Sequence, residues 1–191
     1  MPSIKDIGKR LKGVTSTSKI TKAMKLVAAS KLRQAESKML AARPFAGSMQ
    51  SLMLEHLTPK EDDAIKSSIM LAVSSDKGLC GGINSKVVKQ VKIHLADQPE
   101  DTSTALLILG GKVRDGLART HSSYIHTTFD ETYKGPVTFS LASFIAEQMI
   151  ATPADVYTIM YNRFQSVLTQ EVTTMAIRSP EALGGSGVDH I

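Results

Sequence analysis

The chain has one cysteine, no tryptophan and only short apolar runs. Cys80 is the only thiol among 191 residues, which excludes an intrachain disulfide and a zinc site built on several cysteines, and which favours a reducing compartment. Aromatic residues make up only 5% of the chain, and none lies among the lysines before Phe45. The longest apolar runs, 105–109 and 69–73, are far shorter than the ~20 residues that a membrane-spanning helix needs. We therefore expect no direct membrane span.

Negative charge is almost absent from the first 43 residues. This stretch holds eleven Lys and Arg residues against two acidic ones, whereas the rest of the chain has twelve cations and sixteen anions. Gly and Pro are absent from residues 14 to 43, and an uninterrupted stretch of that length would form a helix of about 45 Å. The sequence therefore predicts a long basic helix attached to a mildly acidic body, and it favours an acidic partner for the helix.

Apolar residues in this basic stretch repeat at spacings of three and four, which is typical of a coiled-coil seam. The predicted seam comprises Ile4, Ile7, Leu11, Val14, Ala28, Leu32, Ala35 and Met39. Between its two halves, Ile20, Met24 and Val27 fall one position out of phase, which turns the apolar stripe by about 100°. Such a helix either contacts two different surfaces or belongs to an irregular helical hairpin. Pro44 and Gly47 predict a kink rather than an end of the helix.

Beyond residue 58, short apolar strands alternate with helices, a pattern typical of an α/β layer fold. The predicted strands cover 69–74, 104–109, 124–129 and 156–163, and the predicted helices 83–95, 110–119 and 139–150. A last strand, 170–178, follows the fourth after only a turn, so we expect it to be antiparallel at an edge.

The predicted fold class is thus α/β, with a long N-terminal coiled-coil helix and a Rossmann-like α/β layer domain that has a mostly parallel sheet. The predicted divisions are the helix at 1–58, a linker at 59–67, the α/β domain at 68–182 and a flexible tail at 183–191.

Two glycine-rich turns lie where a phosphate-binding loop would follow a strand. Residues 76–82 (Asp-Lys-Gly-Leu-Cys-Gly-Gly) and 110–112 (Gly-Gly-Lys) match neither the dinucleotide-binding nor the Walker spacing. A tight turn that exposes Lys77 and Cys80 is the simpler interpretation. The five histidines lack metal-ligand spacing, and the G-x-S-x-G motif of a serine nucleophile is absent. We assign no catalytic residue, no metal and no cofactor.

Three interpretations of the composition stay open at this point. The basic stretch is compatible with a coiled-coil protein that binds nucleic acid, although neither a helix-turn-helix nor an RNA-binding sheet signature is found. The strand-turn-helix pattern is compatible with an α/β nucleotide-dependent enzyme. The lysines could also form only a solvated charged face.

Two segments closely resemble the gamma-subunit family of F-type ATP synthases. They are residues 20–31 (Ile-Thr-Lys-Ala-Met-Lys-Leu-Val-Ala-Ala-Ser-Lys) and 75–82 (Ser-Asp-Lys-Gly-Leu-Cys-Gly-Gly), and the similarity extends from Ile4 to about Ala182. The resemblance implies a non-catalytic central-stalk (rotor) subunit of a proton-transporting ATP synthase, which couples rotation of the membrane ring to ATP synthesis or hydrolysis at neighbouring beta subunits. The implied rotor-stator contact residues are Lys9, Lys12, Lys22, Met24, Lys25, Lys77 and Cys80.

The resemblance also implies partners and a location. The implied partners are the alpha and beta subunits of the catalytic head, delta/epsilon-type stalk subunits and the membrane c-ring, without nucleic acid. The sequence is more similar to the mitochondrial branch of the family than to the bacterial one, which implies that the chain is located at the matrix side of the mitochondrial inner membrane. The cytoplasmic face of a bacterial membrane is the alternative location. In the family a second long helix pairs with the first, and residues up to Ile191 include no such segment. We therefore expect the apolar stripe of the N-terminal helix to lack a partner within these residues.

Overall fold

The computed structural model describes residues 3–59, 65–99 and 101–179. The chain divides into two compact units between Met53 and Leu54. Residues 60–64 of the predicted linker and the whole predicted tail, 183–191, lie outside the described residues.

The first unit consists of most of one long helix, α1, which runs over Ile4–Leu57 and whose last residues belong to the second unit. Its 54 residues correspond to a length of about 80 Å. The start is capped reciprocally, because Asp6 N donates to Ser3 Oγ at 3.3 Å and Ser3 N donates to Asp6 Oδ2 at 3.3 Å. Pro44 lies inside the helix, so the helix does not end there, as predicted. Proline removes only one backbone donor, and Ser48 Oγ donates to the Pro44 carbonyl at 3.0 Å.

The second unit is an α/β layer structure, and its elements confirm the predicted order of strands and helices. In chain order they are β1 Ser67–Val73, α2 Ile83–Ala96, β2 Ser103–Leu109, α3 Gly111–Leu117, β3 Ile125–Phe129, α4 Phe139–Ile150, β4 Val156–Phe164 and β5 Gln170–Arg178. The third helix ends at Leu117 instead of 119, because a turn follows in which Thr120 N and His121 N both donate to the Leu117 carbonyl.

The five strands form one sheet in the order β3-β2-β1-β4-β5. The first four strands are parallel to their neighbours, and β5 is antiparallel to β4 at the edge. This arrangement confirms the predicted mostly parallel sheet with an antiparallel edge strand. The chain order reverses direction between β1 and β4, which in α/β sheets is the position where a crevice opens at the carboxyl ends of the strands.

Helices cover both faces of this sheet. Met70 and Ala72 of β1 pack with α2 and α3 on one face, whereas Ile69 and Leu71 pack with α4 on the other. A parallel sheet that is buried on both faces needs strands that are apolar throughout, which explains why β1 and β2 read as continuous apolar runs. At the opposite edge, Asp155 Oδ2 accepts hydrogen bonds from Lys66 N at 2.9 Å and Ser67 N at 2.8 Å, which ties the start of β4 to the start of β1.

Candidate functional site

The predicted contact residues fall on two surfaces, one in each unit. The first surface is the turn between β1 and α2, which carries Lys77 and Cys80. The second is α1, which carries the other five predicted residues. Each surface is described separately below.

Ser75 and Asn84 hold the turn between β1 and α2 in place. Ser75 Oγ donates to the Lys77 carbonyl at 2.7 Å, and Ser75 N donates to Asn84 Oδ1 at 3.1 Å. Asn84 Nδ2 lies 3.2 Å from the Lys77 carbonyl and 3.1 Å from Cys80 Sγ. These bonds leave the Lys77 side chain exposed, whereas Cys80 is only partly exposed. The prediction that the turn exposes both residues is therefore right for the lysine and only half right for the thiol.

Asp76 occupies the amino-terminal end of α3, a position where an anion such as phosphate could otherwise bind. Its Oδ1 accepts from Gly111 N at 2.8 Å, and its Oδ2 accepts from Glu131 N at 3.1 Å. Helix amino-termini attract anions because their first N–H groups lack partners. Here the carboxylate of the chain itself takes that position. The sequence analysis placed Asp76 in a turn but missed this role, because its bonding partners lie 35 and 55 residues away.

Gly110 allows the ends of β1 and β2 to approach closely. Its φ angle is +99°, and a Cβ atom at this position would lie 2.6 Å from the Ser74 carbonyl oxygen. Ser74 is held on β2 because its N donates to the Leu109 carbonyl at 2.7 Å and its Oγ donates to the Gly110 carbonyl at 2.9 Å. Gly110, which sequence position suggested as part of a phosphate-binding loop, thus allows the ends of β1 and β2 to pack against each other.

The described residues carry few groups that could do chemistry. Within 3–59, 65–99 and 101–179, no cluster of three or more His, Cys, Asp or Glu residues could hold a metal ion. The His94 ring on α2 lies 3.1 Å from Gln98 Nε2, and partial burial lowers its pKa, opposed in part by the charge of Asp97. The hydrogen-bond partner described for this ring is the Gln98 amide, and we assign no catalytic role to it. In the same residues no helix is both long and apolar enough to span a membrane.

The second surface, α1, is exposed along its described length. From residue 3 to 51 every side chain is exposed except Leu32, Glu36 and Met39, which are partly buried. Of the predicted seam, Ile4 is 90% exposed, Leu11 66% and Val14 68%. Within the residues that the structure describes, these three apolar side chains remain in contact with water.

The charged residues of α1 do not form a single patch. Lys9 and Lys12 lie on one side of the helix, and Lys22 and Lys25 lie about 140° further around its axis, at 100° per residue. Met24, which is 55% exposed, lies about 130° from the Lys22 and Lys25 pair. Among the described residues, none of these four lysines forms a salt bridge. Helical geometry thus places the four lysines in two pairs and places Met24 on a different side of the helix from Lys22 and Lys25.

Comparison with known proteins identifies the family. A profile of the family described as ATP synthase matches residues 3–184. The ATP synthase gamma chain of Paramagnetospirillum magneticum is 36% identical over 193 residues, which cover 93% of this chain and 66% of the relative. The mitochondrial ATP synthase F(1) complex subunit gamma of Rattus norvegicus is 34% identical over 180 residues, which cover 93% of this chain and 66% of the relative. The chain thus spans slightly less than two thirds of the length of both relatives.

A solved structure agrees with this assignment. A chain of the Tetrahymena thermophila mitochondrial ATP synthase, from a structure of its central stalk and c-ring, superposes with a TM-score of 0.74 at 32% identity, covering 90% of this chain and 79% of that one. The long helix followed by a mostly parallel α/β sheet is therefore a shared architecture. The profile match, the two relatives and this structural similarity together show that the chain belongs to the ATP synthase gamma-chain family.

Proposed function

We propose that the chain is a non-catalytic central-stalk subunit of a proton-transporting ATP synthase, in which it couples rotation of the membrane ring to ATP synthesis or hydrolysis at neighbouring beta subunits. The observation that carries the proposal is α1. It is a helix of 54 residues whose apolar seam is exposed at Ile4, Leu11 and Val14, in a chain that belongs to the gamma-chain family.

The exposed seam requires a partner. Burying an aliphatic side chain contributes about 1.5–3 kcal/mol, and an isolated helix is only marginally stable without such packing. Ile4, Leu11 and Val14 are each more than 60% exposed, so most of this free energy is not gained from contacts among the described residues. A second helix of the shaft, surrounded by the alpha and beta subunits, would supply it.

The lysine pairs suit a surface that moves against its neighbours. An exposed ion pair contributes roughly 0–1 kcal/mol and is weakened by salt. Such contacts can be exchanged as a shaft turns, whereas one strong contact would hold it at a single angle. Lys22 with Lys25 on α1, and Lys77 on the first surface, are the residues that we assign to acidic loops of the beta subunits. Lys9 and Lys12, Met24 and Cys80 complete the proposed rotor-stator contact.

The glycine-rich turns support a non-catalytic role. Asp76 fills the anion position at the start of α3, so a nucleotide phosphate there would meet a carboxylate instead of free N–H groups. This arrangement disfavours the alternative of a nucleotide-dependent enzyme. No specific observation favours the other alternative, a nucleic-acid-binding coiled coil.

The proposed location is peripheral, at the matrix side of the mitochondrial inner membrane, with the cytoplasmic face of a bacterial membrane as the alternative. Relatives of both kinds are similar to the chain. The proposed partners are the alpha and beta subunits, delta/epsilon-type stalk subunits and the c-ring.

Affinity purification from detergent-solubilised membranes tests the proposal. A tagged chain should be recovered with alpha subunits, beta subunits and the membrane ring, and native mass spectrometry should give one copy per complex. The double variant Leu11→Gln with Val14→Gln should reduce this recovery. The matched control is Ser16→Gln with Lys19→Gln, since these positions lie about 140° away around the helix. Recovery of the tagged chain alone, or with nucleic acid, would contradict the proposal.

A further inference from the structure

The chain enters and leaves the sheet of the α/β unit at the same end. Strands β1 and β4 are parallel, so both begin at this end, and β5 is antiparallel to β4, so it finishes there. The register pairs Ser68 of β1 and Arg178 of β5 with the same residue, Val156 of β4. The segment that comes from α1, here called the entering segment, therefore lies close to the leaving segment that follows β5.

Asp155, the residue before β4, holds the entering segment with its side chain. Its Oδ2 accepts hydrogen bonds from Lys66 N at 2.9 Å, from Ser67 N at 2.8 Å and from Ser67 Oγ at 3.0 Å. The Ser67 hydroxyl in turn accepts from Asp155 N at 3.0 Å. Hydrogen bonds to an ionised carboxylate are stronger than those between neutral groups, so one side chain fixes two successive residues of the entering segment.

The main chain of Asp155 holds the leaving segment. Ser179 N donates to the Asp155 carbonyl at 2.9 Å, and Ser179 is only 2% exposed although it directly follows an edge strand. Residues at such positions usually fray unless they are tied down. One residue thus contacts both segments, the entering one through its carboxylate and the leaving one through its carbonyl. Lys66, Ser67, Asp155 and Ser179 are called the junction below.

Strand β2 holds the entering segment from the other side. Ser103 N donates to the Lys66 carbonyl at 2.8 Å, and Thr102 Oγ1 donates to the Ile65 carbonyl at 3.3 Å. The entering segment is therefore bonded to β2 on one side and to Asp155 on the other before β1 begins. The chain that comes from α1 thus joins the sheet at a point that is fixed on both sides.

This bonding suits a point through which load passes. The entering segment is the covalent connection between α1 and β1, so a load carried along the chain between them acts on the junction. Strand ends that are held by single hydrogen bonds open one bond at a time, and each bond contributes little to stability. The Asp155 carboxylate bonds several groups at once, so these bonds must break together before the entering segment can separate from β4.

We propose that Asp155 is a positioning residue of the rotor, which holds the entering and leaving segments of the α/β unit together while the rotor works under load. This inference rests on the proposed function, and it adds a residue that lies outside the proposed rotor-stator contact. Asp155 acts within the chain, by keeping the junction closed. Its loss should therefore affect the loaded rotor more than the unloaded one.

Hydrogen exchange of the full chain tests whether the junction opens as a unit. In Asp155→Ala the amides of Lys66 and Ser67 lose their acceptor, so they should exchange roughly 5- to 100-fold faster. The amide of Ser179 keeps its acceptor, the main-chain carbonyl at position 155, and should nevertheless exchange faster because the two segments open together. Asp76→Ala is the matched control, since this carboxylate also accepts from two backbone N–H groups, at the opposite end of the sheet. It should leave the three junction amides unchanged.

The assembled synthase tests the positioning role. ATP synthesis driven by a proton gradient loads the rotor, whereas ATP hydrolysis without a gradient does not. Asp155→Ala should therefore lower the ratio of the synthesis rate to the hydrolysis rate, and Asp155→Asn, which keeps an acceptor oxygen, should lower it less. Thr138→Ala is the control for lost stability, because it removes the side chain that caps α4 by accepting from Leu141 N. It should lower the urea midpoint of the chain to a similar extent and leave the ratio of the two rates unchanged.

The outcomes separate the inference from the proposed function. If Ser179 exchanges at the same rate in Asp155→Ala, the carboxylate only caps the start of β1 and the inference is overturned. The inference is also overturned if Asp155→Ala and Thr138→Ala change the ratio of rates equally, because the role of Asp155 is then structural. Both results leave the proposed function standing, whereas an unmodified chain that does not assemble with alpha and beta subunits overturns both. If Asp155→Ala prevents assembly, the ratio of rates in Asp155→Asn decides by the same comparison.

Discussion

Replacing Gly110 by alanine should destabilise the α/β unit strongly. The glycine has a φ angle of +99°, and an added Cβ would lie 2.6 Å from the Ser74 carbonyl oxygen and 2.8 Å from its carbonyl carbon. The Ser74 backbone cannot easily withdraw, because its N–H is bonded to the Leu109 carbonyl at 2.7 Å. Its hydroxyl is bonded to the Gly110 carbonyl and lies 3.3 Å from Val113 N, which donates to it. A shift of Ser74 would therefore disturb β1, β2 and α3 together.

The magnitude follows from two terms. A non-glycine residue held at positive φ costs roughly 1–2 kcal/mol, and forcing extra atoms into a packed region typically costs about 1–3 kcal/mol. The free energy of unfolding should thus fall by roughly 2–5 kcal/mol, which is a large part of the ~5–15 kcal/mol typical of a domain. For a unit of this size the midpoint of thermal unfolding should fall by on the order of 10 °C.

Urea unfolding, followed by circular dichroism, measures this loss. Gly135→Ala is the matched control, since Gly135 has a φ angle of −108° and a Cβ there would meet nothing within 4 Å. The control should stay within about 0.5 kcal/mol of the unmodified chain. If Gly110→Ala and Gly135→Ala unfold at the same urea concentration, the reasoning about the close approach at Ser74 is wrong.

Three further predictions concern charge, pH and ligands. Lys22→Glu with Lys25→Glu should leave assembly intact but lower the number of protons pumped per ATP hydrolysed, and an unchanged ratio would remove these lysines from the contact. Hydrogen bonds from Lys66 N and Ser67 N lower the pKa of Asp155 in the folded chain. The ionised Asp155 carboxylate therefore stabilises the fold fully above the unfolded pKa of about 3.9, and this stabilisation is lost as pH falls through the lower pKa of the folded state. Asp155→Asn should therefore lower the free energy of unfolding at neutral pH, by on the order of 1 kcal/mol because solvent screens this partly exposed group. The loss should shrink as pH falls below the unfolded pKa, and a loss independent of pH would contradict this assignment. Calorimetric titration of the chain with ATP, ADP or NAD should detect no binding, and a micromolar site would revive the enzyme alternative.

Much of the α/β unit follows from local sequence patterns. Strands β1 and β2 are predictable because a sheet covered on both faces needs continuous apolar runs. The limits of α4 and β5 match the predicted 139–150 and 170–178, since apolar patterning bounded by polar or turn residues defines them. The antiparallel direction of β5 follows from the short turn that precedes it.

Contacts between distant parts of the chain could not be predicted in the same way. The order of the strands depends on the direction in which each connecting helix carries the chain across the sheet. The sequences of β1 and β4 alone do not show that these two strands are neighbours. The bonds of Asp76 to Gly111 and Glu131 exist only after three strand ends have met.

The long helix shows a different limit. Its existence follows from uninterrupted helix-forming residues, and even Pro44 does not end it. Its seam remains a prediction, because helical spacing identifies an apolar stripe but not the surface that covers it. Sequence position likewise placed Met24 beside Lys22 and Lys25, whereas helical geometry separates it from them by about 130°.

Hydrogen exchange of α1, measured on a dilute monomer of the chain and on the assembled synthase, tests the central claim most directly. A shaft helix whose seam is covered by partners should exchange rapidly in the monomer, while the amides of residues 69–73 and 106–109 stay protected within their sheet. In the assembled synthase the amides of residues 14–43 should become protected as well. If those amides were as strongly protected in the monomer as the strands are, α1 would be covered from within the chain, and its role as an exposed half of a rotor shaft would be contradicted.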